Sequence, residues 1–356
     1  MRVIICILGM CLLTISGCSR TRAVKCAQQK STTPLFRIVE KGKYGYINGQ
    51  GKVIVMPQFA DGQAFAEGLA LVDCQGTPTC PPRAAYLTCA GHDSAIGHFS
   101  KARPFAESLA AVEQDGKWGY IDDMGRMVIK PQFGGDSPNA TAREFHEGLA
   151  AVPVGDQWGY INKEGKLVIS PRQMGISLGE TPAASEFAEG LTAVGIEGKW
   201  GYLDRTGRSA IPARFESAER FSEGLAAVTH AGKHGFIDKT GKWAVEPRFD
   251  EVRSFSRGMA PVQRGGKWGF IDTSGSFVIP PQFEGALSFS EGLAAVKVKG
   301  KYGYINSAGK MLIQPQYDSA QSFTKGLAAI QVGADSALAK TGYIDKRGKI
   351  IWEPTR

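Results

Sequence analysis

Carboxylates are the side chains best equipped for chemistry in this sequence, and they recur at a fixed interval. Asp122, Asp204, Asp238, Asp272 and Asp345 each follow an Ile or Leu in the same local context. A glycosidase-like acid/base pair needs two carboxylates placed in unlike environments. Carboxylates that repeat with the chain read instead as Asx-type turn formers. Five histidines are present, and His234 stands where other copies carry Trp or Tyr, so it reads as a packed ring. No HExxH, no glycine-rich phosphate loop before a helix and no GxSxG occurs. Polar residues without counterparts in other copies fall in two insertions. Asp136, Asn139 and Arg143 belong to the first, with Glu144 directly after it, and Gln173 and Glu180 to the second. These are candidate binding-loop residues, and an enzyme would have to hide its site among them. They form no recognised catalytic set, and no cofactor is expected.

The elements that position these residues come from one repeated stretch. Gly266 to Pro280 (GKWGFIDTSGSFVIP) recurs along almost the whole chain. With the segment that follows it makes a unit of 34 residues, marked by Trp200-Gly201, His234-Gly235, Trp268-Gly269 and Tyr302-Gly303. Earlier anchors are Tyr44, Trp118 and Trp158. A period of this size signals a repeat architecture. Within one unit, His234 to Asp238 alternates as a strand does, and Gly241 closes a tight turn. Trp243 to Val245 returns, and Pro247 is expected to end that strand because it has no N–H for the ladder. An arm with Phe249 and Phe255 follows, then a turn at Arg257-Gly258 and a third strand from Met259. The Gly after each aromatic is expected to admit a ring from a neighbouring unit, where a Cβ would not fit. The chain is 43% hydrophobic, ample for a large core. One unit alone cannot offset the entropy of ordering its residues, so units must share a core.

Counted in phase from Leu35, nine units span 35–356, with anchors at 44, 84, 118, 158, 200, 234, 268, 302 and 341. Insertions at 73–83, 134–143, 173–185 and 332–340 break the spacing. Insertions often mark the binding face of a repeat protein. The expected fold is all-β, with the units stacked as an open, twisted solenoid or superhelix. A closed, propeller-like ring is the alternative. Degenerate end units favour the open form. The anchors Trp200 and Trp268 are expected in the core. Lys residues before the anchors and Glu residues in the Phe-x-Glu-Gly turns (Glu67, Glu107, Glu147, Glu189, Glu223, Glu291) are expected as solvated, mutually compensating rows.

The N-terminus carries an address. Arg2 precedes an apolar run, Val3 to Ile15, too short to span a bilayer. It ends Ile15-Ser16-Gly17-Cys18, which resembles the bacterial lipoprotein lipobox. The resemblance implies cleavage after residue 17 and lipid attachment to Cys18. Ser19 in the next position implies the outer membrane, facing the periplasm. Residues 18–34 then read as a polar tether. In such an oxidising compartment Cys74 and Cys80, which flank a short insertion, are the preferred disulfide pair, with Cys89 and Cys26 as other partners. A zinc site from these cysteines with His92 and His98 matches no strong spacing, so no metal is expected.

The recurring aromatic-Gly-Tyr/Phe-Ile-Asp strand, the Pro-Gln-Phe end and the Phe-Ser-Glu-Gly-Leu-Ala-Ala-Val segment resemble the WG (KWG) repeat family. The resemblance covers about 35–356 and implies an all-β repeat protein of the bacterial envelope. It implies a binding scaffold and brings no shared catalytic residue. The formal charge of +8 becomes +7 once Arg2 leaves, which permits attraction to anionic envelope polymers. The address excludes nucleic acid. The expected partners are the membrane, through the lipid, and an envelope protein or glycan. The expected work is non-enzymatic holding of that partner. A hydrolase-like enzyme with a site in the insertions and a purely structural spacer are the alternatives.

Overall fold

A computed structural model describes residues 34–73, 84–88, 99–135, 140–171, 185–333 and 340–355. The proposed lipid site Cys18, the pair Cys74 and Cys80, and the loop residues Asp136, Asn139, Gln173 and Glu180 lie outside them. Among the described residues the chain forms nine antiparallel sheets, each of three or four strands. Each sheet is one blade, numbered here in chain order. Blade 1 covers 35–59 and blade 9 covers 319–355. Blade 6 shows the plan, with strands Ser217–Ala218, Leu225–His230, Lys233–Asp238 and Trp243–Phe249 in spatial order.

The blades close into a ring, which corrects the expectation of an open solenoid and bears out the alternative. In blades 4 to 9 the hairpin-turn glycine packs on an aliphatic side chain of the preceding blade. Gly165 would put a Cβ 2.9 Å from Ile129, and Gly241 2.9 Å from Ile211. The same contact joins the ends of the chain, because Gly51 of blade 1 sits against the Ile351 carbonyl of blade 9. Phe36, Ile38 and Ile47 share an apolar cluster with Leu327, Tyr343, Ile351 and Trp352. The degenerate end units are thus adaptations to closure, not signs of an open end.

Inside a blade, the strand after the hairpin turn is bulged. Trp200 pairs with Phe215 while Tyr202 pairs with Ile211, so two residues oppose four. Pro247 therefore does not end its strand, which runs through it from Trp243 to Phe249. The bulge explains the anchor glycine. A Cβ on Gly269 would lie 2.5 Å from the Ile279 carbonyl oxygen and 2.7 Å from the Pro281 nitrogen. The close neighbour is backbone of the same blade, not a ring of the next unit.

Cores sit between blades. The ring two residues past the anchor is buried to 1% exposure or less in blades 1 to 8, from Tyr46 to Tyr304. It meets the Phe of the following arm at centroid distances of 4.7 to 5.0 Å, as in Phe236–Phe255 and Tyr160–Phe187. Where this ring is Tyr, its hydroxyl donates to an arm carbonyl. Tyr46 reaches Gln63 at 2.7 Å, Tyr120 reaches Arg143 at 2.8 Å and Tyr202 reaches Glu219 at 2.7 Å. Burial pushes these phenols above their ordinary pKa, so they remain neutral donors.

Candidate functional site on the ring axis

The arms are short, and two kinds of bond hold them side by side. Ser288 Oγ donates to the Ser254 carbonyl of the preceding arm at 3.2 Å, and Ser290 Oγ to the Phe323 carbonyl of the following arm at 2.6 Å. The residue whose carbonyl takes the Tyr hydroxyl differs from blade to blade, and six of the eight residues at this position line hollows between the arms. Around the ring this position reads Gln63, Arg103, Arg143, Ser185, Glu219, Arg253, Leu287 and Gln321. A hollow of about 450 Å³ touches Glu219, Arg253, Leu287, Ser288 and Ser322, which come from four consecutive blades. Only the ring axis is shared by four blades, so the arms line an axial channel. A second hollow, about 510 Å³, meets Gln63, Arg103, Trp118 and Thr141.

Charge is concentrated on one arc of this wall. Arg103 donates to Thr141 Oγ1 at 3.0 Å and lies 3.9 Å from the Glu144 carboxylate. Glu186 is 3.4 Å from His146 and 3.5 Å from Arg220. Arg143, described together with Glu144 from the candidate loop set, stacks over Trp158 with its guanidinium carbon 5.6 Å from the ring centroid. Arg143 Nε and Trp158 Nε1 are both enclosed, and neither has a hydrogen-bond partner. Arg253 stacks likewise on Trp268 at 5.5 Å.

Stacking of this kind accompanies two of the buried anchors but does not set burial alone, since Arg37 also stacks on Tyr44 at 5.4 Å and Tyr44 is half-buried. Trp118, Trp158 and Trp268, each in a blade whose arm carries Arg, are 2%, 2% and 5% exposed. Trp200, in the blade that has Ser185 at the arm position of Arg143 and Arg253, stays half-buried. Trp268 is core, as expected, whereas Trp200 is not fully so. Tyr44, His234 and Tyr302 are also half-buried, and His234 Nδ1 is 3.1 Å from Thr229 Oγ1 rather than in a ligand set. No group of His, Cys, Asp and Glu among the described residues could hold a metal ion.

The repeated acids serve the scaffold. Asp204 Oδ1 accepts the N–H of Thr206 at 2.8 Å and of Arg208 at 3.0 Å, the Asx turn read from the sequence. The Glu row corrects the expectation of a solvated, compensated surface. Each such Glu has a positive φ of 51° to 55°. Its carboxylate accepts backbone N–H groups of the next blade's equivalent turn. Glu223 takes Arg257 at 2.6 Å and Gly258 at 2.8 Å, and Glu107 takes Gly148 at 2.9 Å. Three of them also meet a lysine, in the pairs Lys163–Glu107, Lys239–Glu189 and Lys346–Glu291. The row is a set of inter-blade staples. The period made it visible; the acceptor role was not, because it needs the neighbouring blade.

The WG containing repeat family matches the chain at residues 44–76, 97–118, 118–157, 158–172, 200–233, 235–268, 268–302 and 302–334. The chain belongs to the WG repeat family. No curated protein matches it. Among solved structures, this WG repeat ring is similar to a crystal structure of the eukaryotic initiation factor. The identity is 11%, covering 90% of this chain and 95% of that one, at a TM-score of 0.60. Weaker likenesses are dihydro-heme d1 dehydrogenase NirN in complex with DHE (10% identity, 89% and 72% covered, TM-score 0.42) and Kluyveromyces lactis Hsv2 (12%, 66% and 89%, 0.40). At such identities the first shows a shared fold and nothing of function.

Proposed function

We propose that this WG repeat ring is a non-enzymatic binding scaffold, tethered to the cell envelope by lipid on Cys18, that holds a protein or glycan partner at its axis. The observation that carries the reading is a contrast within each blade. Scaffold positions repeat, with the same Tyr or Phe, the same arm Phe and the same Asx turn. The position whose carbonyl takes the Tyr hydroxyl instead changes from blade to blade, and Arg103 and Arg143, with the adjoining arm residues Glu144, Glu186 and Arg220, put mixed charge on consecutive arms. The repeated Asp and Glu carboxylates that acid/base catalysis would need are engaged in turns and staples. Mixed charge on a rigid wall suits a partner surface that carries both signs.

A pull-down from detergent-solubilised envelopes, with cross-linking, tests this reading. The natural chain should capture a partner that the Arg103→Ala/Arg143→Ala variant loses. Capture of the same partner by the variant would place the site elsewhere. Capture of nothing by either would favour a structural spacer.

A further inference from the structure

Three side-chain atoms among the described residues are enclosed and have no hydrogen-bond partner: Glu113 Oε2, Arg143 Nε and Trp158 Nε1. Glu113 Oε2 lies 3.2 Å from the Lys101 ammonium, so an opposite charge compensates it. Arg143 Nε and Trp158 Nε1 are both donors, and they belong to one stack, with the guanidinium carbon 5.6 Å from the ring centroid. Two donors cannot satisfy each other. Folded proteins rarely leave enclosed donors unpaired, and a place where two stand together lacks an acceptor.

The rest of the guanidinium is free as well. Among the described residues no carboxylate, carbonyl or hydroxyl accepts from the Arg143 side chain, and none forms an ion pair with it. The charges around it are already engaged. Arg103, at the equivalent position of the preceding arm, donates to Thr141 Oγ1 at 3.0 Å and lies 3.9 Å from the Glu144 carboxylate. Glu186, on the following arm, is 3.4 Å from His146 and 3.5 Å from Arg220. Pairing Arg103 with Glu144 and Arg220 with Glu186 leaves Arg143 without a counter-charge. Arg253 stacks on Trp268 in the same way, at 5.5 Å, but Glu219 and Glu251 line the hollow it shares and oppose an anion there. Arg143 is only half-buried, so a partner can reach it from solvent.

The missing group must accept hydrogen bonds and carry negative charge. A carboxylate does both, and it matches the planar guanidinium with two parallel bonds. A phosphate dianion would bring a second charge toward Glu144 and Glu186, which is unfavourable. A sugar ring would need the Trp158 face for stacking, and the guanidinium covers that face.

We infer that Arg143 and Trp158 form a receiving site for the side-chain carboxylate of an Asp or Glu on a protein partner. This rests on the scaffold reading and names the contact within it. The carboxylate takes the Arg143 fork, while the Trp158 ring supports the flat face of the guanidinium. Because Nε and Nε1 are enclosed, they meet the carboxylate only as the guanidinium lifts from the ring. Trp158 therefore reports occupancy.

The probe is a labelled, end-blocked tetra-glutamate peptide, titrated into the full chain by fluorescence anisotropy, with tetra-glutamine as the control. The glutamate peptide should bind saturably and about tenfold more tightly than the glutamine one. The indole N–H resonance of Trp158, assigned with Trp158→Phe, should move during the same titration. Arg143→Lys keeps the charge and loses the fork, so it should fold and weaken binding about tenfold. Lys242→Ala removes a charge at an exposed turn and should change nothing. Equal binding of the two peptides, full binding by Arg143→Lys, or a Trp158 resonance that stays still at saturation would overturn the proposal. So would displacement of the peptide by oligoglucuronate or inorganic phosphate at a lower concentration than by free glutamate peptide. An envelope partner lost with Arg103→Ala/Arg143→Ala, but no response to the glutamate peptide, would sink this site and leave the scaffold reading standing.

Discussion

Thr355 Oγ1 donates to the backbone carbonyl of Val39 at 2.7 Å, across a separation of 316 residues. With Tyr343 and Phe36 it clasps the two ends of the chain into one ring. Phe36 is 8% exposed and sits where no other unit has a large side chain. Phe36→Ala should therefore destabilise the ring by about 3–5 kcal/mol, the range for loss of a buried Phe. Ala110→Gly at the same position of blade 3 should cost less. Chemical denaturation of both variants checks this; an unchanged midpoint for Phe36→Ala would mean that the ends are not joined through that ring.

The anchor glycine makes a sharper claim about backbone. Gly269→Ala puts a Cβ 2.5 Å from the Ile279 carbonyl oxygen, a contact with backbone that cannot swing away. Gly285→Ala meets only side-chain atoms, the nearest at 3.3 Å. The first should lower the thermal midpoint markedly and the second little. Equal effects would refute the bulge as the reason for the Trp-Gly pair.

The sequence shows why part of this was legible. Blade count, phase, strand order and the Asx role of Asp204 and Asp238 all follow from the 34-residue period, because they are local to one unit. What failed needed two units at once. The bulge behind Gly269 depends on the partner strand, and the Glu223 staple on the next blade's turn. The closure depends on Phe36 meeting Tyr343 from the opposite end of the chain. Of the candidate loop residues, Arg143 owes its place to the arm, where it stacks on Trp158 of its own blade, a contact its position in the insertion does not reveal.

The staples make stability depend on pH. At Glu189 desolvation by burial raises the pKa, but the Lys239 ammonium and the Gly224 N–H outweigh it, so the carboxyl sits below its ordinary value. Glu107 and Glu291 are lowered in the same way, by Lys163 and Lys346 with Gly148 and Gly326. A folded pKa below the unfolded one means that the unfolded state takes up protons first. The stabilisation is thus fully present above the ordinary Glu range and is lost as pH falls through the lowered folded values. Glu189→Gln should flatten the acid limb of the stability curve. An acid limb identical to that of the natural chain would remove Glu189 from the linkage.

Lipid attachment is read from four residues, Ile15 to Cys18. Cys18→Ala should abolish palmitate incorporation and leave the precursor uncleaved. Normal labelling of that variant would end the assignment and with it the outer-membrane address.

The anchor tryptophans differ by what covers them. Trp268 is 5% exposed beneath Arg253, while Trp200 is half-buried in a blade that has Ser185 at the equivalent arm position. Loss of a buried Trp costs about 3–5 kcal/mol, and loss of a half-buried one correspondingly less. Trp268→Ala should therefore lower the unfolding midpoint more than Trp200→Ala does. Removing only the cover, with Arg253→Ala, should leave the fold intact and shift the emission of Trp268 to longer wavelength as water reaches the ring. Ser185→Arg should do the reverse at Trp200, covering it and shifting its emission to shorter wavelength. If Arg253→Ala leaves the emission unchanged, the Trp is buried by its own blade alone, and the inward side chains do not govern access to the aromatic row.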